Sequence, residues 1–391
     1  NSKKLITKMS FLQYLLPGRY FQSPGINGNE LMTAAIYSIH GPSSVISIQR
    51  VPKPIPNYDQ VLVKVAATCI NPIDIKLRKH PISSLILPKP KIPGTDISGI
   101  IVSAPKDSGY NEGDEVIAMM PMLFWSFGAS AEYAAIPISL IAPKPKNISF
   151  VQAAAIPLVG TTVVTGFNSV LETMNQTSLE NCKVLIQAGG GGVGSFAIQY
   201  AKNVLNAKVV ATTCSTSKID YVRSLGADII IDYKVTNFED VIQDYDVVFD
   251  TLAYEYKERT LNPNSRVIRK DGKGHYVHIG GSSPTIEPGD PGSDPFGLSV
   301  PEARFDKLMS HYWYQWSSSF SKKVGLSTEE VHYHVVFVRP NGNILREISK
   351  HIEENKINCF IDKVFPLNEI QQAHNYIEEG HTVGKVVLTL I

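Results

Sequence analysis

The sequence is poor in cysteine, and the little it has is scattered. Cys69, Cys182, Cys214 and Cys359 are the only four in 391 residues, and no two form a Cys-x-x-Cys pair. This excludes a readable disulfide framework and a cysteine zinc lobe, and it points to a reducing compartment. Excess charge is also missing. Against 36 acidic residues stand 37 basic ones, so a net +1 gives no global field to draw nucleic acid or a membrane surface. No internal repeat is visible. A membrane-spanning run is missing too: the uncharged stretch from Val184 to Ala201 is long enough, but five glycines, two glutamines and a serine break it with turn chemistry. Acids are absent from residues 1–29, which carry Lys3, Lys4, Lys8 and Arg19. There Leu5, Ile6, Met9 and Leu12 fall near helical spacing, a pattern that suits part of an organelle transit peptide and equally a disordered tail.

What remains is an ordinary globular composition, 43% hydrophobic and 19% charged, in a chain long enough for two domains. Its most informative segment is Val184-Leu-Ile-Gln-Ala188, an apolar strand that stops at a run of glycines. Gly189, Gly191 and Gly194 fit G-x-G-x-x-G, with Gly190, Gly192 and Val193 between them, and a helical stretch follows to Val204. Glycines allow a tight turn and let the backbone approach a pyrophosphate; the helix N-terminus offers it free N–H groups and a positive dipole end. The strand before and helix after are the context this motif needs, so the segment predicts dinucleotide binding.

Elsewhere the pattern divides in two. Met32 to Tyr37, Val61 to Ala66, Gly99 to Val102, Gly113 to Ala118 and Ala131 to Ile136 are short strands punctuated by proline and glycine, as in a β-rich domain. From Val159 to Leu171 the chain reads helical. Strands at 184–188, 208–213, 229–231, 247–250 and 275–279 then alternate with helices near 193–204 and 217–225. This predicts an α/β fold with a doubly wound parallel sheet. The stretch 282–300 reads as a surface loop.

A Rossmann strand that binds NAD usually ends in an acid that holds the ribose 2′-hydroxyl. Here the second strand runs Ala211-Thr-Thr-Cys-Ser-Thr-Ser-Lys218, and no acid occurs between Gly189 and Asp220. Ser215, Ser217 and Lys218 supply hydroxyls and a cation instead, which favours NADPH. As an alternative, Lys218 is a solvated first-turn lysine.

These residues resemble a known family. A β-rich first part precedes Ala153-Ala-Ala-Ile-Pro-Leu-Val-Gly-Thr-Thr162. Gly191-Gly-Val-Gly194, Leu225-Gly-Ala-Asp228 with Asp232-Tyr233, and a closing Gly384-Lys-Val-Val387 follow. Together they resemble the medium-chain dehydrogenase/reductase superfamily, more narrowly its zeta-crystallin-like quinone oxidoreductases, and among these the mitochondrial reticulon-interacting oxidoreductase group. The resemblance runs from about residue 32 to the end. It implies a Rossmann NADPH-binding domain (161–341) inserted in a GroES-like catalytic domain (32–160 and 342–391), behind a basic extension (1–31). It also implies a homodimer paired through Rossmann strands, with Val335 to Val338 as the edge, and a mitochondrial or cytoplasmic location.

The resemblance gives residues roles. Asn71 would line the pocket beside the nicotinamide and offer its amide to an acceptor oxygen, although an asparagine before Pro72 also suits a turn. Thr162 would contact the nicotinamide end of the cofactor. Gly280 and Gly281 would let the backbone close over the ring, and Tyr233 would lie near the 2′-phosphate or simply pack on the surface. Zinc-dependent members carry a cysteine ligand early and a G-H-E-x-x-G segment later. The matching places hold Asn71 and Thr95-Asp96, which cannot make a tetrahedral zinc site. His332 and His334 would share one face of a strand and could chelate, but no third ligand is in view. Without a Lewis acid the chemistry must suit hydride transfer to an activated acceptor such as a quinone or a conjugated enone.

Related reductases carry a tyrosine shortly after the Asn-Pro segment; this chain reads Lys76-Leu-Arg-Lys-His80-Pro81. That leaves His80 or solvent as proton source and weakens the enoyl-thioester reductase alternative. A scaffold protein that binds cofactor with little turnover is the reading from another class. The aromatic patch His311-Tyr-Trp-Tyr-Gln-Trp316 suits an acceptor wall, a core or a dimer contact alike.

Overall fold

Val184, Leu185 and Ile186 are wholly buried, as expected of a central parallel strand covered on both faces. Around them the computed structural model describes residues 25–79, 89–122, 126–252, 255–279, 330–336, 338–380 and 382–390. Gly280, Gly281, His80, the 282–300 stretch, the 311–316 aromatic patch and residues 1–24 lie outside the described residues.

The central sheet has six parallel strands: β8 (Lys183–Ile186), β9 (Val209–Cys214), β10 (Ile229–Asp232), β11 (Val247–Asp250), β12 (Gly274–Ile279) and β13 (Val331–Val336). Their order is β10-β9-β8-β11-β12-β13, which reverses direction beside β8. That is the strand order of a doubly wound dinucleotide fold, and its switch point lies at the C-terminal end of β8, where the glycine loop begins.

The second sheet is mostly antiparallel and draws on both ends of the sequence. It contains β3 (Gln60–Ile70), β4 (Asp96–Ser103), β5 (Glu115–Met119), β6 (Tyr133–Pro137), β7 (Ile141–Pro143), β14 (Ile361–Pro366) and β15 (Lys385–Thr389). In the order β14-β15-β3-β4-β5-β7, the late strand β15 pairs Val386 to Thr389 against Ala67 to Ile70 of β3; β6 pairs β3 as well. A separate hairpin joins β1 (Gly25–Ile36) and β2 (Ser47–Ile55).

The helix α1 (Pro72–Lys79) leaves β3 directly, and α2 (Phe150–Ala154) is opened by a capping box between Ser149 and Gln152. Helix α3 (Pro157–Met174) joins the two sheets. Proline at its first position, a run of buried apolar residues and a left-handed Asn175 at its end define it. It is apolar nearly all round because it is covered on most sides, by the parallel sheet, by α4 (Gly192–Gln199) and by α7 (Gly342–Glu353). Helices α5 (Ile219–Ser224), α6 (Glu255–Leu261) and α8 (Ile370–Glu378) are the other α-helices among the described residues. No described helix is long and apolar enough to cross a membrane.

Two of the boundaries that differ from expectation have a tertiary cause. Strand β1 starts at Gly25 rather than Met32, because Gly25 to Asn27 pair with Ile55 to Lys53 across a bulge that hydrophobic alternation does not reveal. Strand β13 starts at Val331 rather than Val335, since its histidines and tyrosine hide the apolar pattern.

Gly166 of α3 faces the Phe249 ring, where an added Cβ would stand 2.6 Å from Cε2. Overpacking there costs about 1–3 kcal/mol, against about 1 kcal/mol of helix propensity gained. Gly166→Ala should therefore lower the urea midpoint, and Gly166→Val should lower it further. An unchanged midpoint in both would show that Phe249 moves aside freely.

Candidate active site

Asp96, the first residue of β4, is fully buried, and both its oxygens are engaged. Pro157 has no N–H, so the first donor of α3 is Leu158, whose N–H meets Asp96 Oδ1 at 2.7 Å. Asn71 Nδ2 donates to Asp96 Oδ2 at 2.8 Å, and the Lys385 ammonium donates to Asn71 Oδ1. The Asn71 N–H donates to Asp74 Oδ2 at 2.8 Å, which fixes the entry into α1. Four chain segments thus meet in one buried polar cluster: the end of β3, the start of β4, the start of α3 and the start of β15.

Burial sets the proton affinities here. It pushes Asp74 up to about 7 against the pull of the Asn71 N–H, and Asp96 up to about 6 against Lys385, Asn71 and Leu158. It pushes Lys91 and Lys76 down to about 8. Cys69 is pushed up to about 12, so its thiol stays protonated and faces Val386 O at 3.1 Å.

The glycine loop adjoins this cluster. Gly191 caps α4 without any side chain, leaving the first-turn N–H groups uncapped. A Cβ on Gly194 would come within 2.2 Å of Ala188 O, and one on Gly189 within 2.1 Å of Thr212 Oγ1, so both positions need glycine. A Cβ on Gly190 would strike Lys218 Cδ at 2.4 Å, and one on Gly192 would strike Lys385 Cδ at 2.6 Å. Two lysine stems therefore lie across the loop. Residues 382–385 close over it: Lys218 Nζ donates to Thr382 O at 2.7 Å and the Gly384 N–H to Gly190 O at 3.2 Å. Uncapped N–H groups at the start of a helix are donors of the kind that suit an anion.

The residues expected to bind cofactor fall as follows. Gly189 to Gly194, with Val193, form the loop. Ser215 and Ser217 hydroxyls lie 3.3 Å apart at the end of β9, and the exposed Tyr233 donates its N–H to Cys214 O beside them. Thr162 is buried, with its hydroxyl bonded to Leu158 O at 2.7 Å. Asn71 is completely buried, with its amide nitrogen donating to Asp96 and its amide oxygen accepting from Lys385. His332 and His334 do share a face, but His334 Nε2 meets His275 Nδ1 at 3.0 Å and His332 Nε2 faces Gly272 O at 2.9 Å.

Sequence reasoning missed Lys385, Asp74 and Asp232. Lys385 sits inside the quoted Gly384-Lys-Val-Val387 motif, which carried no chemical signal alone. Asp232 ends β10 and accepts from Thr216 Oγ1, so an acid does stand near Ser215 to Lys218, though on a different strand from the one usually read.

The alcohol dehydrogenase GroES-like domain family matches residues 57–146, and the zinc-binding dehydrogenase family matches residues 225–388. The chain is 34% identical over 368 residues to the chloroplastic NADPH-dependent alkenal/one oxidoreductase of Arabidopsis thaliana, covering 91% of this chain and 79% of that one. The chain belongs to the medium-chain dehydrogenase/reductase superfamily. Within that superfamily it is similar to the mitochondrial NAD(P)H oxidoreductase RTN4IP1 of Homo sapiens, 28% identical over 385 residues, 92% of this chain and 90% of the relative. The quinone oxidoreductase of Coxiella burnetii shares the fold, with a TM-score of 0.70 at 24% identity over 93% of this chain and all of the other. Members of this superfamily are oxidoreductases, and so is this chain.

One family description implies zinc. The donor set does not fit it: the places of the zinc ligands hold Asn71, an amide, and Asp96, whose oxygens accept from Leu158 and Asn71, and the described residues bring no three His, Cys, Asp or Glu side chains together.

Asp74 and Asp96 bind protons more tightly in the folded state than in the unfolded chain. Between about pH 4 and 7 the folded state therefore holds more protons, and these two groups make stability fall as pH rises. Asp74→Asn should flatten the plot of melting temperature against pH in that window. An unaltered slope would show that Asp74 ionises as an ordinary carboxyl.

Proposed function

We propose that this protein is an NADPH-dependent, zinc-independent reductase of conjugated enones, alkenals and quinones. The observation that carries the reading is the meeting of the glycine loop with the buried Asn71–Asp96 pair, which offers a cofactor cradle beside a polar centre that holds no metal-ligand set. Similarity to the alkenal/one oxidoreductase supports the acceptor class.

The loop from Gly189 to Gly194 would hold the pyrophosphate through backbone N–H groups. Ser215, Ser217, Lys218 and Tyr233 would surround the 2′-phosphate, with Lys218 leaving Thr382 O to meet it. Asp232 accepts from Thr216 and from the Lys234 N–H. When bound, the cofactor supplies a hydride. The acceptors named are those whose incoming electron pair delocalises onto oxygen, so the protein's part is to orient and to supply a proton. Thr162 and the Asn71–Asp96 pair keep the nicotinamide end dry and fixed. A homodimer paired along the outer strand β13 accords with the sheet order. Similarity to mitochondrial relatives supports a mitochondrial or cytoplasmic location.

The reading is tested by NADPH oxidation against quinones, enones and enoyl thioesters. Turnover should be seen with the first two. Cofactor binding without turnover on any of them would favour a scaffold role. NADPH should raise the melting temperature more than NADH at equal concentration. Lys218→Glu should reverse that preference, weakening NADPH by about tenfold or more, as expected on losing a charge-assisted hydrogen bond. Equal shifts with both cofactors would refute the 2′-phosphate assignment.

A further inference from the structure

Lys385 is the charged side chain that spans the two halves of this site. It follows Gly384, whose φ of +78° and whose approach to Phe360 O, 2.6 Å from an added Cβ, admit only glycine. This fixes where the lysine begins. Its stem then crosses Gly192 and its ammonium ends on Asn71 Oδ1. From there the path continues through Asn71 Nδ2 to Asp96 and from Asp96 to the first N–H of α3. Lys385 is itself only 7% exposed. Burying an ammonium is costly, and a side chain needed merely to fill this space would be apolar.

We propose that Lys385 is a positioning residue, holding the Asn71 amide and the Asp96 carboxylate in register with the Gly189–Gly194 loop, so that cofactor and acceptor meet at a fixed separation. The proposal rests on the reductase reading above. Asn71 cannot rotate while its oxygen faces a cation and its nitrogen a carboxylate. Asp96 cannot leave α3 without abandoning Leu158. A cofactor seated on the loop therefore presses, through one lysine stem, on the geometry of the buried centre. The segment 382–385 extends the same link to Lys218, so the loop, the far end of the cofactor and the centre share one short piece of chain.

The test uses the full-length chain with Lys385→Met, Lys385→Arg and the double variant Asp96→Asn with Lys385→Met. With an enone that the wild type reduces, Lys385→Met should lower kcat by about a hundredfold, as expected for a misplaced centre, with NADPH affinity changed far less. Lys385→Arg should recover part of kcat. The acid limb of the kcat profile should move to higher pH in Lys385→Met, because Asp96 loses its nearest cation. Wild-type kcat and pH profile in Lys385→Met, or a loss confined to NADPH affinity, would overturn the proposal. Should Lys385→Met not fold, the double variant leaves neither charge unpaired; wild-type kcat in it would overturn the proposal equally. A second readout needs no turnover. NADPH should slow amide exchange at Leu158 as well as in the loop in the wild type, and only in the loop in Lys385→Met. Protection at Leu158 in both would overturn the proposal. A wild type that binds NADPH and reduces nothing would instead refute the reductase reading and leave this comparison to decide. A wild type that does not bind NADPH would overturn both.

Discussion

The bond between Asp96 and the N-terminus of α3 is the interaction on which the site depends. A carboxylate without access to water is stable only where donors replace the solvent it has lost. Asp96 has two, the Leu158 N–H and the Asn71 amide, and each belongs to a different element. The helix end contributes a positive dipole as well as a hydrogen bond, and the Lys385 ammonium lies one residue further on. Because α3 packs against both sheets, anchoring its first turn on β4 also anchors the Rossmann sheet against the catalytic one.

Most of the fold was legible because it follows local rules. The glycine loop, the strands β8 to β12 and the helix through Val159 to Leu171 appear in the chain where periodicity and turn residues put them. The misses have a common cause. Strand β1 begins in Gly-Ile-Asn-Gly-Asn, where only partnership with β2 makes a strand, and β13 carries His332, Tyr333 and His334 on a segment whose burial comes from β12. In both, tertiary pairing outweighs the local pattern.

The site was legible in its parts and illegible in its wiring. Asn71 and Asp96 drew attention as places where zinc ligands might stand, and they do converge, but through each other. Asn71 and Lys385 are 314 residues apart, and no spacing rule connects them. Nor can a motif disclose that an amide is fully buried; that follows from α3 and β15 closing over it. Asp232 shows the same limit, since it reaches the end of β9 only because β10 is its neighbour in the sheet.

Strand β15 has a further meaning for the making of the protein. It lies between β14 and β3 in the finished sheet, yet it is synthesised long after β3. Until it emerges from the ribosome, the β3 edge it will cover carries unpaired backbone groups beside apolar residues, an invitation to mispairing with other chains. The nascent protein therefore passes through a long interval in which its Rossmann domain can be complete while its first domain still has an open seam. Chaperone demand should concentrate in that interval, and damage to the last strand would surface as loss of protein rather than as a slow enzyme.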